Sequence, residues 1–337
     1  MTWCSRSVFR CFKALERAGD RLTGAAGPFF VGLAVILITV GTICFFDVIM
    51  PSLSYPVITL PACLLIALNM FMHYFYVCTV KPGFVDDPPP EPGRNILWAR
   101  RSRPPKGRAM SGRVRWSSVL NVTRAETTQC SKCGQTKPER THHCRICNRC
   151  VLKYDHHCPW INQCVGLHNE RHFVMFMAYL VVSTFCVSVL GYTQLLEALG
   201  ITYTRWPYHV PEIAYIITYL LSVVICLAVG IMLSYHLYSI SWAETSVEGQ
   251  DHEVYRRKAK SRGETFVNSY DLGKRRNLQL FFNVGEPGYP LYTLFLPFRI
   301  SPYTDGRSWA RREGYARHQG VRRGEELTDE EDDEDDE

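Results

Sequence analysis

A chain of 337 residues, 47% apolar and 21% charged, could hold two or three soluble domains, but its apolar residues are gathered into four long runs, which excludes an ordinary soluble core. The formal charge of +6 hides an asymmetry, because residues 325–337 carry eleven acidic side chains and the body without them stands at +17. A body this basic suits anionic lipid and the phosphates of an acidic ligand; nucleic acid is a poor partner, since no recognition fold accompanies the charge.

Residues 1–27 read as a basic amphipathic cytosolic lead-in, with Cys4 and Cys11 as bystanders near the membrane. The apolar runs 28–50, 56–80, 172–196 and 211–240 follow. At about 1.5 Å per residue each can cross a hydrocarbon core of about 30 Å, so four transmembrane helices are expected, two in 28–80 and two in 172–240. The first run starts too deep for a cleaved signal peptide and no small-residue cleavage site follows it, so it stays as a helix. Residues 81–128 read as a flexible, basic, proline-rich linker, and 129–171 as a compact cysteine-rich domain running straight into the third span. Beyond the fourth span, 241–300 reads as a cytosolic packing segment, its aromatic patch made by Phe281, Phe282, Tyr289, Tyr292, Phe295 and Phe298. Residues 301–337 read as a disordered tail with an acidic end.

Lysine and arginine give the orientation: five lie in 1–28, seventeen in 81–171, one in 197–210 and fifteen after 240. The positive-inside rule therefore puts both termini and the cysteine-rich domain in the cytosol. Cytosolic thiols are kept reduced, so a cysteine cluster there reads as metal-binding or catalytic and not as disulfides. On that side the sequon Asn121-Val122-Thr123 is silent.

Between Cys130 and Cys164 lie seven cysteines and four histidines. Cys130-x-x-Cys133 and Cys144-x-x-Cys147 are tight turns that each point two thiolates at one ion; Cys150, Cys164 and two of the histidines can complete two tetrahedral zinc sites. So polar a segment has little core, and its fold would depend on the metal. Cys158 is left over, two residues after His156, as a candidate nucleophile. A zinc with three thiolates and one imidazole carries a net charge of about −1 and would not activate a neighbouring thiol. A base is needed instead. His156 is the adjacent candidate, with Asp155 to fix its tautomer, although His156 could equally be a further ligand on spacing alone.

Cys130-x-x-Cys133, Lys137-Pro138, His143-Cys144-x-x-Cys147-x-x-Cys150, Asp155-His156-His157-Cys158-Pro159-Trp160, Cys164-Val165-Gly166 and Asn169-x-x-x-Phe173 resemble, in order and spacing, the cysteine-rich domain of DHHC protein S-acyltransferases. With its flanking spans the resemblance covers roughly residues 28–300. It implies an α-helical integral membrane protein with four transmembrane helices and a cytosolic two-zinc domain between spans 2 and 3. It also implies a first zinc on Cys130, Cys133, His143 and Cys150, a second on Cys144, Cys147, His157 and Cys164, and a catalytic set of Asp155, His156 and Cys158. Thr245-Ser246-Val247-Glu248 is similar to the family's Thr-Thr-x-Glu element, which carries to Ser246 a hydrogen bond to the catalytic aspartate. Asn277, with Phe281 and Phe282, is similar to the motif that packs the tail on the membrane domain. Lys81-Pro82-Gly83 keeps the family's turn after span 2 without its carboxylate.

The implied reaction is transfer of a long-chain acyl group, palmitoyl, from acyl-CoA to cysteines of membrane-associated proteins through a thioester on Cys158. Its partners are acyl-CoA, those protein substrates and the bilayer, and its expected setting is the endoplasmic reticulum or Golgi. Asn69 and His73 are polar residues of span 2 that could line an acyl cavity, and Ser183 is a small residue of span 3 that could set its depth. A membrane-anchored ubiquitin ligase or adaptor also uses paired zinc sites, but would end in a second cysteine pair rather than a lone Cys164 after an extra thiol.

Overall fold

The computed structural model describes residues 3–88, 93, 95–100, 120–202, 205–285, 288–322 and 325, with backbone alone over 3–18. Four segments are helices long and apolar enough to cross a membrane: Gly19–Ser52, Pro56–Thr79, Glu170–Leu190 and Glu212–Ser241. The first continues α1 (Trp3–Cys44) into a π-helical turn, Phe45–Ile49; α2 is Pro56–Thr79 and α3 is Glu170–Leu190. A short α4 (Tyr192–Ala198) precedes α5 (Glu212–Ser241). On α5, Ile213, Ile217, Leu220, Val224, Leu227 and Ile231 recur every three or four residues, and all are exposed. In water that stripe would lack a partner; in a bilayer it is the lipid face, with the backbone satisfied inside the helix.

The third span is shorter than the apolar run 172–196, because α3 breaks at Gly191. There the Tyr215 hydroxyl donates to the Gly191 carbonyl at 2.8 Å, and a Cβ at 191 would collide with that hydroxyl. Leu195 and Ala198 then pack with Trp206 and Tyr215 at the end of the bundle away from the cysteine domain.

The cysteine domain is a series of two-stranded antiparallel hairpins. A first strand, β1 (Asn121–Arg124), precedes β2 (Thr127–Gln129), which pairs with β3 (Thr136–Pro138); β4 (Thr141–Cys144) pairs with β5 (Arg149–Leu152), and β6 (His156–Cys158) with β7 (Gln163–Val165). The apolar material between them is small: Val151, with Phe84, Ile146 and Tyr154. Gly83, at φ 104°, lets the segment after α2 turn onto this domain, its carbonyl accepting from the Leu152 amide at 2.8 Å.

After α5 come α6 (Ser246–Ser261) and α7 (Lys274–Phe282). Asn277 is buried as expected, its amide donating to the Ser241 carbonyl at 2.8 Å and to Asp271 at 2.7 Å. Arg171 of α3 holds the carbonyls of Phe282 (3.3 Å) and Thr293 (2.7 Å), and Tyr179 holds that of Leu294 (2.8 Å).

Three expectations are corrected. Residues 301–322 are not a disordered tail: β8 (Ser308–Arg311) pairs with β1, and Trp309 is fully buried. Its partner is Arg140, whose guanidinium lies between Trp309 (4.6 Å) and Tyr270 (4.4 Å), a contact too distant in sequence to anticipate. Replacing Trp309 by alanine should lower stability by about 3–5 kcal/mol, the usual scale for a large buried ring, read as a fall in the thermal midpoint; an unchanged midpoint would rule out this packing. Residues 81–88 and 120–128 likewise have defined partners rather than reading as free linker: Arg149 binds Asp86 (2.7 Å) and Asp87 (2.6 Å), and β1 and β2 each lie in a two-stranded sheet. Residues 101–119 of the linker and the acidic end 326–337 lie outside the described residues, as do the side chains of Cys4 and Cys11. Neither Asn69 nor His73 lines the cavity between the spans: Asn69 donates to the carbonyls of Leu65 (2.9 Å) and Phe295 (2.8 Å), and His73 Nδ1 meets His172 Nδ1 at 3.1 Å.

Candidate active site and metal centres

The hairpins build both clusters by one rule. A turn supplies two cysteines, and a cross-strand pair of the next hairpin supplies a histidine and a cysteine. Cys130 and Cys133 lie between β2 and β3, facing the pair His143–Cys150 of β4 and β5; Cys144 and Cys147 lie at the turn joining β4 to β5, facing the pair His157–Cys164 of β6 and β7. Alternation along a strand explains how the adjacent His143 and Cys144 serve different clusters.

In each cluster the four ligand atoms lie within 4.8 Å of one another. Sulfur–sulfur separations are 3.5 Å for Cys133–Cys150 and 3.4 Å for Cys147–Cys164, and the histidine Nδ1 atoms stand 3.4–3.8 Å from the cysteine sulfurs. Those spacings are far beyond a disulfide bond of about 2.05 Å. They approach the edge of about 3.8 Å that a zinc tetrahedron with bonds of about 2.3 Å would have. The residues present therefore fit two zinc ions.

The same alternation sorts the remaining side chains of β6. His157 faces the second cluster, and His156 and Cys158, two apart, share the opposite face. His156 Nδ1 donates to Asp155 Oδ2 at 2.6 Å, and His156 and Cys158 line the same cavity. Burial disfavours the imidazolium, but its hydrogen bond to Asp155 and the neighbouring Asp155 and Cys158 side chains outweigh it and raise His156 to about 9. Burial likewise acts to raise Asp155, and the His156 contact and the Ser246 amide bring it down to about 2. The protonated form of His156 is thus the stabilised one.

Ser246 does reach Asp155, but chiefly through its backbone. Its amide donates to Oδ1 at 2.6 Å, and its hydroxyl reaches Oδ2 at 3.3 Å. Ser246 begins α6, so the carboxylate sits at a helix N-terminus, where unpaired amides and the helix dipole favour an anion. Thr245 caps that helix, accepting from the Glu248 amide at 3.3 Å while Glu248 accepts from the Thr245 amide at 2.9 Å. Glu248 also takes a two-pronged ion pair from Arg140, at 2.5 and 2.6 Å. Burial tends to raise the Glu248 carboxyl, and Arg140 overrides it, bringing it to about 2. Arg140 was not legible as a site residue; it lies between the two cysteine turns with no motif of its own, and it ties the cysteine domain to the helix that orients Asp155.

Below β6 a cavity of about 650 Å³ opens between the membrane helices, with His156, Cys158 and Trp160 at its head. Its wall includes Met70, Ser183, Thr184 and Cys186, and it reaches Phe45 and Phe46. Trp160 is met by Phe30 at 5.1 Å between ring centroids, and the first helix lines the cavity from Ala34 to Phe46, a length of about 18 Å at about 1.5 Å per residue.

Residues 123–253 match the family model of DHHC palmitoyltransferases. Palmitoyltransferase ZDHHC16 of Mus musculus is 29% identical over 246 residues, covering 70% of this chain and 59% of the mouse protein. Palmitoyltransferase ZDHHC16B of Danio rerio is 28% identical over 348 residues, covering 90% of this chain and 83% of the relative. Palmitoyltransferase PFA3 of Yarrowia lipolytica is 32% identical over 167 residues, 45% of this chain and 42% of the relative.

Proposed function

The chain belongs to the DHHC palmitoyltransferase family, and from that premise we propose that it is a multi-pass protein S-acyltransferase that moves palmitoyl or a similar long chain from acyl-CoA to cysteines of membrane-associated proteins. What carries this reading is the position of Cys158: it shares a strand face with His156, stands outside both ligand clusters, and opens on an apolar cavity between spans.

In the proposed reaction His156, its Nδ1 engaged by Asp155, takes the Cys158 proton on the other ring nitrogen. The thiolate attacks the thioester carbonyl, the bond from that carbon to the CoA sulfur breaks, and the departing thiolate recovers the proton from His156. A substrate thiol then gives its proton to His156 and attacks the acyl-enzyme, releasing Cys158. The eight cysteines and histidines of the two clusters would hold two zinc ions as staples of the fold, without a chemical role. Acyl-CoA is the co-substrate, its head group on the basic side. The arginine and lysine distribution supports a cytosolic active site and cytosolic termini; the membrane proposed is that of the endoplasmic reticulum or Golgi.

Acyl-CoA arrives from a bilayer as apolar as the cavity, so the cavity gains little by hydrophobic transfer and discriminates by shape. Ser183 lies on its wall. Ser183→Phe would overpack the space needed by a chain tail, at about 1–3 kcal/mol, and should favour a fourteen-carbon over an eighteen-carbon donor by about tenfold or more. An equal loss with both donors would remove Ser183 from chain-length control. The function itself is tested with purified protein in liposomes, given palmitoyl-CoA and a cysteine-bearing acceptor anchored in the membrane. Ping-pong kinetics are expected; transfer only when both substrates are bound together would contradict an acyl-enzyme.

A further inference from the structure

His236, on α5, belongs to no motif and yet closes the third side of the proposed active site. It is 8% exposed, and its Nδ1 stands 3.9 Å from Asp155 Oδ2, too far for a direct hydrogen bond. It has no hydrogen-bond partner among the described residues. Asp155, His156 and His236 form one compact group of nitrogen and oxygen atoms. Three rings lock around it: His156–Phe173 at 5.3 Å, Phe173–His236 at 5.5 Å and His156–His236 at 5.9 Å between centroids.

Each contact has a consequence for His156. Asp155 fixes one ring nitrogen, Phe173 meets the ring edge to face, and His236 limits its tilt from the α5 side. An aliphatic side chain at 236 could fill the volume. It could not direct a donor at the carboxylate. A small cavity of about 40 Å³, lined by Asp155, His236, Lys153 and Glu170, adjoins this gap. It exceeds the roughly 10–15 Å³ that one water requires, and it offers several polar partners. A bridging water would therefore span the 3.9 Å between His236 and Asp155.

We propose that His236 is a positioning residue for acyl transfer, holding the Asp155–His156 pair by ring contact on one side and by a water-bridged Nδ1–H directed at the carboxylate on the other. It touches neither the acyl group nor the thiol. The proposal rests on the acyl-transfer reading above, and the experiment separates the two.

Full-length protein in detergent is compared with His236→Asn, His236→Gln and His236→Leu. The rate of Cys158 acylation is measured in a single turnover across palmitoyl-CoA concentrations, together with zinc content and thermal midpoint. Asparagine places an amide nitrogen near the Nδ1 position, and glutamine reaches past it. His236→Leu is expected to lower the maximal acylation rate by about tenfold to a hundredfold, the order by which a displaced catalytic group slows a reaction. Half-saturation and zinc content should not move, and His236→Asn should recover most of the rate while His236→Gln does not. A His236→Leu rate equal to wild type overturns the proposal, as does a loss in half-saturation alone. If His236→Leu fails to fold, the asparagine and glutamine variants decide: equal rates for the two overturn it. Absence of any adduct on wild-type Cys158 would instead defeat the underlying reading.

Discussion

A Cys158→Ser chain is expected to form no acyl adduct and to transfer nothing, while still binding as much zinc as the wild type. The expectation follows from the alternation of β6, which turns His157 toward the second metal cluster and leaves His156 and Cys158 together on the other face. Serine nearly preserves the volume and the neighbours, but a hydroxyl is a far weaker nucleophile than a thiol at neutral pH. Intact mass after incubation with palmitoyl-CoA, with metal analysis on the same sample, reads both halves of the prediction. An adduct undiminished in the variant would place the nucleophile elsewhere; a fall in zinc would make Cys158 a ligand.

Replacing Cys147 by serine should also abolish transfer, but by lowering zinc content and unfolding the cysteine domain. Cys147 supplies a sulfur 3.4 Å from both the Cys164 sulfur and His157 Nδ1. The apolar core there is a handful of side chains. Structural zinc contributes about 10–16 kcal/mol in small zinc-dependent folds, as much as the roughly 5–15 kcal/mol of net stability that a whole domain typically has. Losing one site should therefore cost the domain its fold, and activity with it. Because His157 and Cys158 share β6, the acylation rate should fall together with zinc content. A wild-type stoichiometry near one zinc per chain, or full activity after complete chelation, would contradict the two-zinc arrangement.

The membrane helices were legible because lipid imposes a length and an apolar composition that hydropathy reads directly. What escaped was the end of the third span, since the break at Gly191 depends on a Tyr215 hydroxyl from another helix. Spacing brought the cysteines into pairs but could not tell His156 from His157. Recognising β6 as a strand would have done so, yet three residues carry too little periodicity to announce one. Ser246 was expected near Asp155 through its hydroxyl; its amide at the N-terminus of α6 makes the shorter contact. Arg140, Trp309 and His236 were missed for a common reason. Each acts through partners contributed by distant parts of the chain, and none sits in a local pattern.

The most direct test of the acyl-transfer account is the intact mass of the purified wild-type chain after incubation with palmitoyl-CoA, before and after neutral hydroxylamine. The account predicts one added acyl group, mapped to the peptide containing Cys158 and removed by hydroxylamine as a thioester is. No adduct on a chain that holds both zinc ions, or an adduct that survives hydroxylamine, would contradict it.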